Sequence, residues 1–337
     1  MKLTLAFALM TTPALAAPAL ADGLPGYDRF DLDAAHRARP VAASIWYPAA
    51  APTYAAPVGD GPLFQPQRAF VGAAVAPGHH ALVLLSHGSG GNADSLGWLS
   101  AGLAARGAIV VAVNHPGSTS GDSSPRRSVD LAARAQDLSA ALDAVLADPG
   151  FAGFVDPARV SAVGFSLGGT TALGLGGLQF DGAMQQANCQ TGPDAADCGF
   201  FLRGGVDFAA AKGFDADTRD RRVTRVVAID PGFVGAVATD SPSAVPVHFI
   251  NLGEGPDRLG AVDVGPDGYD LAGRLPGASY QTFAPANHFS FLAECKPGGP
   301  EMLKEEGDDP ICTDPAGTDR AALHQALIAD IGRALGL

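Results

Sequence analysis

Val160-Ser161-Ala162-Val163-Gly164-Phe165-Ser166-Leu167-Gly168-Gly169 sets a short apolar run, a glycine-flanked serine and several small residues in that order. The run predicts a buried strand, and the small residues after the serine can open a helix. This is the context a G-x-S-x-G nucleophile elbow requires. A serine there sits on a tight strand-to-helix turn, its hydroxyl pushed out at the end of a sheet. Gly164 and Gly168 keep clashing side chains out of the turn, and Gly169 lets the new helix pack closely. A chain with 43 glycines can hold the pattern by chance, so its weight depends on what the rest of the sequence supplies.

Working outward from the elbow, apolar runs and turn signals alternate. Val41 to Tyr47 reads as a strand that Pro48 ends. Ala49 to Pro77, rich in Ala, Pro and Gly, reads as irregular connection. Ala81 to Ser86 is a buried strand running into His87-Gly88-Ser89-Gly90-Gly91. Asp94 or Ser95 can cap a helix reaching Arg106, with Gly107 at its end. Ala108 to Val113 is the next strand, ending at Asn114-His115-Pro116-Gly117, and Ser118 to Pro125 is a polar loop. An amphipathic helix follows, with Leu131, Leu138, Leu142, Val145 and Leu146 on one face, and Asp148-Pro149-Gly150 stops it. A helix opens at Gly168. From about Phe180 to Asp220 the pattern breaks down, and this Gly/Asp-rich stretch reads as an insertion over the sheet, a partial lid. Three more strands are expected at Val223–Ile229, Val245–Leu252 and Ser279–Phe283, then a closing helix from Ala321 to Leu335. Strand and helix in alternation predict a mostly parallel sheet covered on both faces, in one domain spanning residues 22–337.

Composition limits what such a domain does. The 337 residues are 47% hydrophobic and 17% charged, which is globular. A net charge of −13 with 22 Lys and Arg argues against nucleic acid, whose phosphates need clustered positive charge, and against anionic membrane surfaces. Lys2, the apolar stretch Leu3 to Met10 and the A-x-A sites Ala14-Leu15-Ala16 and Ala19-Leu20-Ala21 read as a secretory signal over residues 1–21. That stretch is too short for a stable membrane span. The expected location is therefore the periplasm or the cell exterior. Four cysteines fit export, and two disulfides are expected. Of three possible connectivities, the local pairs Cys189–Cys198 and Cys295–Cys312 are preferred on spacing. No C-x2-C spacing is present, so no structural metal is expected.

Functional groups gather where the strands of such sheets end. Ser89, Ser166, Asp230, Glu254, Asp257 and His288 all fall just after predicted strands. A serine hydroxyl becomes a nucleophile when a base takes its proton, and a carboxylate fixes the tautomer of an imidazole base. His288, in a loop beyond the last strand, is the expected base. His248 lies within a strand and reads as a packed core residue, His79 and His80 as surface, and His324 as lying near the polar side of the closing helix. The expected acid is Asp230, which leads directly out of an apolar run; Asp257 and Glu254 are the alternatives. The same Asp230-Pro231-Gly232 also suits a plain turn. Acyl transfer further needs donors to a developing oxyanion, worth about 3 kcal/mol each. The backbone N–H groups of Leu167 and Ser89 are the candidates, with Phe165, His87 and Gly88 beside the pocket.

Leu84-Leu85-Ser86-His87-Gly88-Ser89-Gly90-Gly91, Asn114-His115-Pro116, Gly164-Phe165-Ser166-Leu167-Gly168-Gly169, Val227-Ala228-Ile229-Asp230 and Asn287-His288, in this order, resemble the dienelactone hydrolase-related bacterial esterases. They also resemble the platelet-activating factor acetylhydrolases, and both groups lie in the α/β-hydrolase superfamily. The resemblance runs from about Val41 to the closing helix, leaving the 180–220 insertion unmatched. It implies an α/β-hydrolase fold, Asp230 as the acid, Ser89 and Leu167 as oxyanion donors, and no cofactor. Dienelactone hydrolases themselves use a cysteine nucleophile, where this chain has Ser166. The elbow also carries Phe165 where many relatives have His or Trp, so the relatives' substrates do not carry over. The expectation is an exported serine esterase acting on small-molecule or lipid-like esters, short acyl groups favoured. A cutinase-like polyester hydrolase on the same residues and a non-catalytic binding module on the same scaffold are the alternatives.

Overall fold

A computed structural model of the chain describes residues 23–192, 195–238 and 243–337. The predicted signal segment, 1–21, lies outside the described residues. The chain enters through β1 (Gly26–Leu32) and β2 (Val41–Tyr47), then β3 (Tyr54–Val58) and β4 (Gln67–Val71). It continues through β5 (His80–Ser86), α1 (Gly97–Ala104), β6 (Ile109–Val113), a small hairpin of β7 (Ser118–Thr119) and β8 (Asp122–Ser123), α2 (Pro125–Ser128) and α3 (Leu131–Ala147). The elbow joins β9 (Val155–Phe165) to α4 (Leu167–Leu175). Helices α5 (Gly182–Thr191) and α6 (Gly199–Arg203) precede β10 (Val223–Ile229), β11 (Val247–Leu252), α7 (Leu271–Arg274), β12 (Ser279–Phe283), α8 (Gly299–Glu306) and α9 (Arg320–Leu335).

Among the described residues, ten strands form one sheet in the order β12-β11-β10-β9-β5-β6-β2-β1-β4-β3. From β6 through β5, β9, β10 and β11 to β12, every neighbouring pair is parallel. β2 runs antiparallel to β6. Alternate side chains of the parallel strands enter opposite cores, as the two-residue period of a strand requires. Leu82, Leu84, Val111, Ala162, Val226 and Ala228 pack with Leu138 and Leu142 of α3 and Leu173 of α4. Val83, Leu85, Val110, Val163, Val227 and Ile229 pack with Leu99 of α1 and Leu327 and Ile331 of α9. Both faces are thus covered, and every parallel strand delivers its carboxyl end to the same edge. No helix among the described residues is long and apolar enough to cross a membrane.

The N-terminal third departs from the sequence reading. The segment 49–77, read as irregular, contributes β3 and β4 to the sheet, and β1 was not expected either. β1 pairs antiparallel with β2 and β3 with β4, while β4 lies parallel to β1 across many intervening residues. Pro57 sits inside β3, which is an edge strand, where a missing N–H breaks no ladder. The first helix also starts later than read. Asp94–Leu96 is a 3-10 turn, and Asn92 Oδ1, not Asp94 or Ser95, accepts a hydrogen bond from the Ser95 N–H at 2.8 Å. His324, read near the polar side of α9, is buried and stacks on Trp98 at 3.7 Å between ring centroids.

The described residues of 180–220 hold more regular structure than their sequence indicated. Cys189 of α5 is bonded to Cys198 at the start of α6, and the second disulfide joins Cys295 to Cys312. Phe201, Phe208 and Phe214 pack edge-on or tilted against one another and against Phe233, with ring centroids 5.2–5.7 Å apart. Aromatic quadrupoles favour such arrangements. Phe233 lies in the loop leaving β10, so the insertion is anchored at the carboxyl edge of the sheet.

Candidate active site

Ser166 is the residue between β9 and α4, with φ +54° and ψ −124°. This conformation is strained for a residue with a Cβ and costs about 1–3 kcal/mol. The surroundings over-determine it. The Ser166 N–H donates to the Ile229 carbonyl at 2.9 Å, and the Ser166 carbonyl accepts from Gly169 and Gly232. A Cβ at Gly164 would overlap the Gly168 carbonyl, and one at Gly168 would overlap the Ser86 carbonyl. The turn therefore closes only with glycine at both positions. Phe165 and Leu167 are buried, while Ser166 between them remains partly exposed.

Two loops from the same edge meet this serine. His288 Nε2 lies 3.2 Å from Ser166 Oγ, and His288 Nδ1 lies 2.9 Å from Asp230 Oδ2. His288 opens a 3-10 turn after β12, set by reciprocal capping between Asn287 and Ser290. Its side chain is 11% exposed and that of Asp230 is 0% exposed. Asp230 leaves β10 with φ +41°, a left-handed conformation that Asp tolerates better than most residues. Its Oδ1 accepts from the Leu252 N–H at 2.9 Å and from Asn251 Nδ2 at 2.8 Å, leaving Oδ2 for the imidazole. Both oxygens of this buried carboxylate are therefore satisfied, as burial demands. Glu254 and Asp257 are exposed, and neither bonds to His288. An imidazole held this way can take the serine proton while the carboxylate stabilises the resulting cation.

The other predicted residues separate by position. A Cβ on Gly88 would lie 3.0 Å from Ser166 Cβ, so this loop runs directly alongside the serine. Among the described residues, neither the Ser89 nor the Leu167 N–H has a protein acceptor. Phe165 is not beside an open pocket. Its ring is buried under the imidazole, 4.6 Å from His288 and 4.8 Å from Phe291, because the alternation of β9 turns it into the α1/α9 core. His87 is also buried rather than lining a pocket. Its Nδ1 meets the Gly88 carbonyl at 2.7 Å and its Nε2 accepts from the His115 N–H at 3.1 Å. Burial, then the nearby His115 and Arg134, push the His87 pKa well below the usual imidazole range.

Sequence reading missed a polar cluster behind the His87–Gly91 loop. Ser86 Oγ lies 2.9 Å from His115 Nε2, and His115 Nδ1 lies 2.9 Å from Asp137 Oδ2. Asp137 also accepts from Arg37 and lies 2.7 Å from His36 Nε2. Burial and the Arg134 cation lower the His115 pKa to about 4. Burial alone would raise Asp137, but hydrogen bonds from His115 and Arg37 outweigh it and hold the carboxyl well below its usual range. This is a second Ser–His–Asp chain, with contacts of 2.9 Å at both links. All three of its residues are buried, however, and Ser86 ends a strand instead of standing on a strained turn. No acyl group can reach it. The available signal was Arg134, which falls in the apolar stripe of α3 between Leu131 and Leu138.

No family model matches this chain, and no curated protein matches it. Solved structures are similar in fold. A ferulic acid esterase from Streptomyces cinnamoneus is 20% identical, with a TM-score of 0.56 over 96% of this chain and 92% of that one. A dienelactone hydrolase from Anabaena variabilis is 13% identical, with a TM-score of 0.46 over 92% of this chain and 98% of that one. The chain has the α/β-hydrolase fold: a mostly parallel open sheet, flanked by helices, with the elbow at the carboxyl edge.

Proposed function

We propose that this protein is an exported serine hydrolase that cleaves carboxylic esters through an acyl-enzyme on Ser166. The observation that carries the reading is the hydrogen-bonded line Ser166–His288–Asp230, 3.2 Å and 2.9 Å long, ending on a partly exposed serine in a strained elbow. His288 takes the Ser166 proton as Oγ bonds to the acyl carbon. The N–H groups of Leu167 and Ser89 bind the oxyanion, whose collapse breaks the bond to the alcohol. His288 returns the proton to that leaving oxygen. It then takes a proton from water as that oxygen attacks the acyl carbon, and returns the proton to Ser166 Oγ as the acyl–Oγ bond breaks and the acid leaves. Asp230 holds the tautomer and balances the imidazolium throughout. The chemistry asks for no cofactor.

Residues 22–337 act as one unit in this reading, supported by a single sheet that takes in ten of the twelve strands among the described residues. The two disulfides support export, since such bonds persist in oxidising compartments. Anchoring of residues 180–220 on Phe233, three residues beyond Asp230, favours a partial lid and short acyl groups of small or lipid-like esters over a wide polymer groove. Turnover of aryl esters of increasing acyl length tests the reading. The native protein is expected to favour short chains, and Ser166→Ala to lose turnover at least about 10³-fold while keeping its thermal midpoint. Appreciable turnover by that variant sinks the mechanism.

A further inference from the structure

Arg134 is fully buried, yet its guanidinium meets no carboxylate. Every one of its partners is neutral: they lie on β5, on the loop after it, on α4 and on the β7–β8 hairpin. Nη2 donates to the His87 carbonyl at 2.6 Å and to Ser86 Oγ at 3.2 Å. Nη1 donates to Ser118 Oγ at 2.7 Å. The Ser118 carbonyl in turn accepts the Gly90 N–H at 2.9 Å. Arg134 thus grips His87, two residues before Ser89, directly, and Gly90, the residue after Ser89, through the β7–β8 hairpin. Its Nε donates to Thr171 Oγ1 at 2.9 Å, and that hydroxyl donates to the Leu167 carbonyl at 3.0 Å. One planar fork therefore ties the Ser89 loop to the first turn of α4.

A buried cation is costly, and it persists only where its donors are satisfied. The nearest counter-charge is Asp137, which raises the Arg134 pKa against the larger lowering by burial; the balance leaves it at about 9, still a cation at neutral pH. Asp137 is itself saturated by His115, His36 and Arg37. The geometry of the fork, rather than its charge, is what this site uses. Lysine has one rotatable ammonium and cannot reach three separate elements in fixed directions.

We infer that Arg134 is a positioning residue that sets the separation of the Ser89 and Leu167 N–H groups, and so the fit of the site to a tetrahedral oxyanion. The inference rests on the ester-hydrolase reading for its catalytic consequence, but not for its structural one. A positioning role of this kind acts on the transition state more than on the ground state, so it moves kcat and leaves KM.

The test uses the full-length protein and the variants Arg134→Lys and Thr171→Val, the second sparing Arg134 itself in case the first folds poorly. Active sites are counted by fluorophosphonate titration, so that misfolded protein does not enter the rate. Per active site, Arg134→Lys is expected to lower kcat about 10- to 100-fold, the cost of misplacing groups by up to an ångström, with KM within about twofold. Thr171→Val is expected to show a smaller loss of the same kind. Inhibition by a trifluoromethyl ketone, which binds as a tetrahedral oxyanion, should weaken in parallel with kcat. Hydrogen exchange should quicken in residues 87–91 in both variants. Native kcat and native exchange in both variants overturn the inference, as does a fall in kcat with unchanged ketone affinity. If the native protein itself neither labels nor turns over any ester, the functional reading fails. Exchange in residues 87–91 then decides the structural role of Arg134 alone.

Discussion

Asp230 commits one oxygen to β11 and the other to His288. This division of labour makes a sharp expectation. In Asp230→Asn an amide can present its NH2 to His288 Nδ1 and so favour the wrong tautomer. Turnover should fall by roughly 10⁴-fold with the fold retained, the size of loss seen when a triad carboxylate becomes an amide. Glu254→Gln and Asp257→Asn, at exposed positions away from the imidazole, should keep the native rate. Steady-state kinetics of the three variants on one aryl ester reads this; a large loss in Glu254→Gln or Asp257→Asn, with Asp230→Asn active, contradicts it. At this scale the grouping of the three candidate residues was legible. The G-x-S-x-G pattern, the order Ser…Asp…His and the strand-end positions all pointed to Ser166, Asp230 and His288. The neighbours of these residues were not legible. Whether Phe165 and His87 face a pocket or the interior depends on the pleat of β9 and on a long-range bond to the His115 N–H, neither of which a motif encodes.

Elements with an apolar run or a helical stripe were readable, and those without either were not. β5, β6 and the carboxyl-terminal halves of β9 and β10 are mostly apolar runs because both of their faces are covered, and such runs announce themselves. Helix α3 shows its apolar stripe, and Asp130 caps it by accepting from the Ala133 N–H. β1, β4 and β3 extend the sheet in that order beyond β2, and their half-exposed, polar or Pro-containing sequences look like loop. The insertion hid for another reason. Its core is a cluster of phenylalanine rings closed by one disulfide, and such a cluster has no helical or strand period to detect. Arg134 belongs to this scale as well. A charge inside the apolar stripe of α3 marks an element that carries a polar task along with its packing.

For the molecule as a whole, buried neutral histidines set a pH dependence of stability. Burial lowers the pKa of His115 to about 4 with the help of Arg134, and lowers that of His324 to about 4; His87 is lowered as well. The unfolded chain takes up these protons near the ordinary value of about 6.5, whereas the folded chain resists them until the pH approaches 4. The unfolded state therefore binds more protons between those limits, and stability rises with pH across that window. Their contribution is complete above pH about 6.5 and is lost as the pH falls toward 4, on the order of a few kcal/mol in total. The thermal midpoint should be level from pH 8 to about 6.5 and drop steadily below it. A midpoint unchanged between pH 7 and pH 5 contradicts the burial of these rings as neutral groups. The central claim is narrower, that the fold brings one serine to the carboxyl edge of the sheet and activates it there. Mass spectrometry of the native protein after treatment with a fluorophosphonate tests it most directly, because fluoride leaves only when an activated oxygen attacks phosphorus. A single adduct is expected on the peptide that contains Ser166, absent in His288→Ala. An adduct confined to another residue, or none in protein shown to be folded, contradicts it.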